Sequence, residues 1–236
     1  MFRQLIPFER AKQIILENIP SEPAKTENIP IYKAYNRVLA EDIIAPFDVP
    51  SFNRSIVDGY AVRAEDTFGA EEEKPVKLTL VGRINVGETP KLTINSMETA
   101  EIATGAALPK GANAVVMVEY TSREGDEVAI YRPVVKGENV MKAGDDIKSR
   151  EKILEKGEIL VPRKIGVLAA LGFTNVKVYS QPKIAIISTG PEIVEPGKPL
   201  PLGKVYDVNS YTLSAAVQEL GAIPLNMGII PDEEKE

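Results

Sequence analysis

The chain has 236 residues, 28 basic and 34 acidic for a formal charge of −6, and 44% of it is hydrophobic. That is long enough for more than one domain and apolar enough for a packed core, and it argues against wholesale disorder and against a general nucleic-acid binder, which needs a basic face. Cys, His and Trp are absent, which excludes disulfides, thiolate chemistry, Cys-ligated metal centres, imidazole bases and the Ser-His-Asp triad.

Chemistry therefore falls to carboxylates, hydroxyls, Lys, Arg or backbone groups. A protein-bound metal is expected to be a hard cation on oxygen ligands, Mg2+ first. A small basic pocket for an anionic ligand stays open. The first residues, Met1-Phe2-Arg3-Gln4-Leu5-Ile6-Pro7, lack the apolar centre of a signal peptide. No apolar run approaches the ~20 residues needed to span a bilayer. The expectation is a cytoplasmic protein with no membrane partner.

In chain order, Pro7 opens a helix whose apolar positions are Phe8, Ala11, Ile15 and Ile19, with Pro20 ending it. The proline-bearing stretch 21–30 reads as a linker. Tyr32 to Ala40 reads as a second short helix, and Glu41 to Ala45 as its extension or the start of a strand. Residues 46–140 read as a compact β domain. Strand runs such as Lys77–Val81 and Ala114–Tyr120 alternate there with turn clusters at Gly87-Glu88-Thr89-Pro90, Pro109-Lys110-Gly111 and Glu124-Gly125-Asp126. Glu71-Glu72-Glu73 reads as a solvated loop.

A bridging stretch, 141–181, is expected to hold a strand at Gly157–Val161, a helix through Ile165, Leu168, Ala169 and Leu171 capped by Gly172, and a strand at Thr174–Tyr179. From Lys183 the pattern becomes α/β. Ile184-Ala185-Ile186-Ile187 reads as a buried parallel strand. After a 19-residue loop, Ser188–Tyr206, Asn209 is placed to cap a helix with the stripe Leu213, Ala216, Val217 and Leu220, followed by Gly221 and the strand Ile223–Met227. One helix and two strands are too few to bury an open parallel sheet, so residues 183–236 read as an unfinished domain.

Ser188-Thr189-Gly190 follows the carboxyl end of the apolar strand, where open α/β sheets bind ligands and backbone N–H groups can meet phosphate; an ordinary strand-to-loop turn is the competing reading. Glu192 and Asp207 flank the loop and Asp232 follows the next strand. Three carboxylates at one sheet edge could hold Mg2+ against a phosphate ester; surface acids, with Asp207 at a helix terminus, are the alternative. Asp58-Gly59 has the form of a hairpin turn, Thr104-Gly105 is turn-like, and Gly144-Asp145-Asp146 has the form of an acidic turn.

Four ordered blocks carry a resemblance. They are Val49-Pro50-Ser51-Phe52-Asn53-Arg54-Ser55-Ile56-Val57-Asp58-Gly59-Tyr60-Ala61-Val62-Arg63; Ile102-Ala103-Thr104-Gly105-Ala106-Ala107-Leu108-Pro109-Lys110-Gly111-Ala112-Asn113-Ala114-Val115-Val116; Gly137-Glu138-Asn139-Val140 through Gly144-Asp145-Asp146-Ile147; and Ser188-Thr189-Gly190-Pro191-Glu192-Ile193-Val194-Glu195-Pro196-Gly197, continuing to Tyr206-Asp207-Val208-Asn209-Ser210. In residues, order and separation they resemble the molybdopterin molybdenumtransferases, the family that includes the C-terminal domain of gephyrin.

The resemblance implies a multidomain α+β and α/β fold, elongated, with a discontinuous bridging and dimerisation domain (1–45 and 141–181), a β-rich domain (46–140) and the N-terminal part of a three-layer α/β molybdopterin-binding domain (182–236). It implies a homodimer that works downstream of a molybdopterin adenylyltransferase. The implied reaction inserts molybdate into adenylylated molybdopterin with release of AMP, assisted by Mg2+. Matched position by position, Asp58, Thr104, Asp146, Glu192 and Asp232 fall on catalytic positions and Ser188, Thr189, Gly190, Asp207 and Asn209 on substrate-binding ones. Glu192 and Asp232 are the implied metal ligands. Where the family has Asp, this chain has Pro191, which removes a backbone donor and a charge. The family also continues past the equivalent of Glu236 with a Gly-rich substrate loop, further acids and a C-terminal β domain. The expectation is that this chain alone is inactive, or is completed by a second polypeptide. A noncatalytic molybdopterin-binding or scaffold module is the alternative from another class.

Overall fold

The computed structural model describes residues 6–19 and 25–230. The chain divides into two compact units, one formed by Met1–Glu41, Lys156–Ile165 and Thr174–Glu236, the other by Asp42–Glu155 and Gly166–Phe173.

The second unit is built on a six-stranded sheet. Its order is Ala114–Met117, Gly59–Val62, Glu98–Ile102, Val76–Ile84, Glu127–Ile130 and Thr121–Glu124. All pairs are antiparallel except Val76–Ile84 with Glu98–Ile102. All four residues of Gly59–Val62 are buried. Side chains alternate across a strand, so Tyr60 and Val62 enter a cluster with Leu78, Val116, Val128 and Ile130, while Ala61 enters a second with Ile84, Ile94, Ile102 and Val115. A strand covered on both faces reads as a continuous apolar run, as Tyr60-Ala61-Val62 does. Gly59 has a steric reason for its identity, because a Cβ there would lie 1.9 Å from the Val116 carbonyl oxygen.

The turn expected at Glu124-Gly125-Asp126 joins Thr121–Glu124 to Glu127–Ile130 with Glu124 opposite Glu127, and Glu71, Glu72 and Glu73 are exposed. Asp58-Gly59 makes no hairpin. The strand before it, Arg54–Ser55, pairs with Val140–Met141, and Gly59–Val62 pairs elsewhere.

In the first unit, helix α1 runs Phe8–Asn18 with Pro7 in the cap position; Pro20, expected to end it, lies outside the described residues. None of its residues is buried, and Phe8 and Ile15 are among the exposed apolar side chains. The linker reading of 21–30 fails where it is described. Thr26–Pro30 is a strand paired antiparallel with Asn175–Tyr179, and Pro30 takes the last rung, opposite Asn175. The expected helix over Tyr32 to Ala40 is reduced to a 3-10 turn, Ile31–Lys33. Asn36, at φ 59°, redirects the chain, and Val38 and Leu39 bridge to Ile159 and Val178. Tertiary pairing overrides helical spacing here. The expected strand at Gly157–Val161 is likewise a turn with one bridge, at Ile159.

Helix α2, Pro162–Ala170, ends as Gly172 foretold. The Gly172 N–H donates to the Ala169 carbonyl and the Phe173 N–H to the Leu168 carbonyl, the Schellman arrangement. Beyond it, Lys183–Thr189 and Ile223–Ile230 pair in parallel with helix α3, Asn209–Glu219, between them in sequence. Ile184–Ile187 is not a buried strand. Ile186 is buried, whereas Ile184 and Ile187 are 41% and 52% exposed, because this sheet has two strands and α3 packs against both of them. The stripe expected on α3 also differs: Ser210, Ser214 and Val217 turn inward, and Leu213 and Leu220 are exposed. No described helix is long and apolar enough to cross a membrane.

Candidate functional site

Three of the four sequence blocks meet in the second unit. Residues 49–58 make few regular pairs, yet their backbone groups need partners. On one side they are met by residues 105–108: the Gly105 N–H donates to the Ser55 carbonyl, Ser55 N–H to Ala106, and Leu108 N–H to Asn53. On the other side are residues 139–147. The Ile56 N–H donates to Asn139, Gly144 N–H to Pro50 and Asp146 N–H to Val49. The Asn53 side chain accepts the Ala143 amide at 2.9 Å.

This arrangement places Asp58 at the end of the crossing segment, just before the buried Gly59. Its carbonyl accepts the Val118 N–H at 3.1 Å. Its carboxylate accepts the Thr104 N–H at 2.8 Å. Asp58 and Thr104, 46 residues apart, are thus in direct contact, and both side chains are exposed. Asp58 lines a cleft of about 230 Å3 with Gly59, Tyr60, Arg83, Glu101 and Val118 among its walls. Asp146 is exposed on the segment beside Val49. Arg83 and Glu101 did not emerge from the sequence. The available signal was Gly82 inside a strand pattern, which marks a bulge.

In the first unit, the fourth block forms a second group. Ser188 ends the apolar strand, and its hydroxyl donates to Asp207 Oδ2 at 2.7 Å; Asp207 Oδ1 accepts the Ser210 N–H at 3.0 Å. One carboxylate therefore ties the end of a strand to the first turn of α3. The capping residue is Asp207, not Asn209, which is exposed in that turn. Asp207 is 6% exposed. Ser210, whose amide donates to it, and the Ser188 hydroxyl hold its carboxyl below the ordinary Asp range against the opposing effect of burial.

Thr189 is exposed, paired in the strand with Ile230. At Gly190, with φ 138°, a Cβ would lie 2.9 Å from both carboxylate oxygens of Glu192. Glycine lets that carboxylate fold back over the chain while Glu192 stays exposed. The 19-residue loop has structure of its own. Ile193–Val194 pairs with Val205–Tyr206, and the Lys204 ammonium donates to the Pro191 carbonyl. Asp232 lies outside the described residues. Among the described residues no three acids lie together in position to hold a metal ion by themselves; Mg2+ is commonly held by one or two carboxylates together with substrate phosphates, which the oxygen-only donors here fit.

Residues 6–172 match the family described as the MoeA N-terminal region (domain I and II). The chain is 36% identical over 233 residues to a molybdopterin molybdenumtransferase of Haemophilus influenzae, spanning 98% of this chain and 56% of that protein. It is 40% identical over 194 residues to molybdopterin molybdenumtransferase 2 of Mycobacterium tuberculosis, spanning 82% of this chain and 48% of that one. The crystal structure of the molybdopterin biosynthesis protein MoeA from Pyrococcus horikoshii superposes with a TM-score of 0.88 at 41% identity, over 98% of this chain and 61% of that chain. The chain spans about half the length of the curated relatives it matches.

The bonds around Asp207 yield a pH prediction. Its folded pKa is depressed, so its contribution to stability is fully present above the unfolded value of ~3.9 and is lost as pH falls through the lower folded value. Asn caps a helix as well as Asp does but forfeits the charge-assisted bonds. Asp207→Asn is expected to cost about 1 kcal/mol at neutral pH, and the gap from wild type is expected to close below about pH 4. Urea melts of both proteins across that range check it; a gap independent of pH would contradict it.

Proposed function

Given that the chain belongs to the MoeA N-terminal family, we propose that it serves molybdenum cofactor biosynthesis by inserting molybdate into adenylylated molybdopterin with release of AMP. The observation that carries this reading is the convergence of residues 105–108 and 139–147 on residues 49–58, which sets Asp58, held by the Thr104 amide, at the edge of a cleft. A packing requirement alone would be met by apolar side chains there; instead, exposed acids and hydroxyls are presented.

Ser188, Thr189, Gly190 and Asn209 are the groups proposed to hold the substrate, with Asp207 fixing the strand end and helix start that carry them. Asp58 and Thr104 are proposed to act from the β-rich domain, Asp146 from the bridging domain, and Glu192 and Asp232 from the α/β domain. Glu192 and Asp232 are the acids that would hold Mg2+, which when bound would screen phosphate charge during cleavage. With no imidazole in the chain, proton transfer and orientation of a nucleophile fall to these carboxylates. The division into a bridging domain (1–45 and 141–181), a β-rich domain (46–140) and an α/β part (182–236) belongs to the same proposal. So do an upstream molybdopterin adenylyltransferase as partner and action in the cytoplasm.

Two outcomes follow. In the protein as its own cell makes it, supplied with adenylylated molybdopterin, molybdate and Mg2+, Asp58→Asn is expected to lower AMP release by roughly 100-fold or more while leaving the melting temperature nearly unchanged. A wild type that releases no AMP, or a variant that loses stability and activity together, would sink the reading. The resemblance also leads us to expect a homodimer; light scattering is expected to give twice the chain mass at micromolar concentration, and a stable monomer would count against it.

A further inference from the structure

Strand Val76–Ile84 carries an irregularity that bears on the Asp58 cleft. Leu80 faces Thr99 and Gly82 faces Ala100, so Val81 is the extra residue of a bulge. Bulges re-aim the side chains that follow them. The shift brings Ile84 opposite Ile102 in the core and Arg83 opposite Glu101. Glu101 is in turn opposite Tyr60 on the next strand. Tyr60, Glu101 and Arg83 therefore form one row across three strands, and all three line the cleft that Asp58 borders.

Glu101 stands between two guanidinium groups. Arg83 Nε lies 3.6 Å from one carboxylate oxygen and Arg123 Nη1 3.4 Å from the other. These two cations offset Glu101 and Asp58, the two carboxylates that line the cleft. The Arg83 side chain is 63% exposed, and an exposed ion pair of this kind is worth little, so its planar fork can turn to a ligand at small cost. Guanidinium matches tetrahedral oxyanions through paired N–H donors.

We propose that Arg83, steadied by Glu101 and seconded by Arg123, binds a tetrahedral oxyanion in the Asp58 cleft. Molybdate and a phosphate of the adenylate share that chemistry. The inference rests on the functional reading above and deepens it by naming the group that meets the anion on this side of the site.

Calorimetric titration of the full chain with sodium molybdate, and separately with AMP and with pyrophosphate, distinguishes the sources. Saturable binding of at least one is expected. Arg83→Ala is expected to weaken it at least tenfold and Arg83→Lys by less, with unchanged melting temperatures. Lys77→Ala removes an equal charge from the same strand at a residue paired with Glu127 outside the cleft, and is expected to leave binding within twofold. Absence of saturable binding in the wild type, equal affinity in Arg83→Ala, or an equal loss in Lys77→Ala would overturn the proposal. AMP release without Arg83-dependent binding would remove this inference and leave the function standing. Arg83-dependent binding in a protein that releases no AMP would do the reverse.

Discussion

Residues 49–58 have to satisfy their backbone polar groups without belonging to the main sheet, and that requirement organises the second unit. They do so by accepting and donating hydrogen bonds on both sides, to 105–108 and to 139–147. Gly59 then enters the buried strand at a point where no side chain fits beside the Val116 carbonyl. Asp58 is fixed between these constraints. Its carbonyl is held by Val118 and its carboxylate by Thr104, so its position follows from main-chain bonding that three distant segments share.

The same logic separates the acids by what their oxygens already do. Asp207 is buried and holds Ser188 on one oxygen and the Ser210 amide on the other. Those bonds hold its carboxyl in the charged form and consume much of its capacity to meet a ligand. Asp58 accepts one amide and remains exposed; Asp146 and Glu192 are exposed as well. In a chain with neither imidazole nor thiolate, this division is what allows one residue type both to frame a site and to work in it.

Much of this was legible before the fold was known, and the reasons are local. Gly172 and Gly125-Asp126 behave as their sequence states, since a helix cap and a hairpin turn depend on few neighbours. Asp207 was readable as a helix-terminal acid, though its bond to Ser188 was not. The failures are places where distant pairing decides. Thr26–Pro30 becomes a strand because Asn175–Tyr179 is there to receive it, and the helical spacing after Tyr32 is overruled by bridges from Val38 and Leu39. Ile184 and Ile187 have the composition of a buried strand, but among the described residues their sheet has two strands, against which helix α3 packs. Asp58 could be chosen from its block, whereas its contact with Thr104 and its nearness to Arg83 arise from sheet register and from a bulge, hinted at by Gly82, whose effect depends on distant pairing.

The central claim is that the fold uses Asp207 and leaves Asp58, Asp146 and Glu192 open to a ligand. Carbodiimide labelling of carboxylates with a soluble amine, read out residue by residue by mass spectrometry on the folded chain, tests it most directly. The account predicts labelling of Asp58, Asp146 and Glu192 at the pace of ordinary surface acids, with Asp207 protected until the chain is unfolded. Labelling of Asp207 as fast as the other three, or protection of Asp58 equal to that of Asp207, would contradict it.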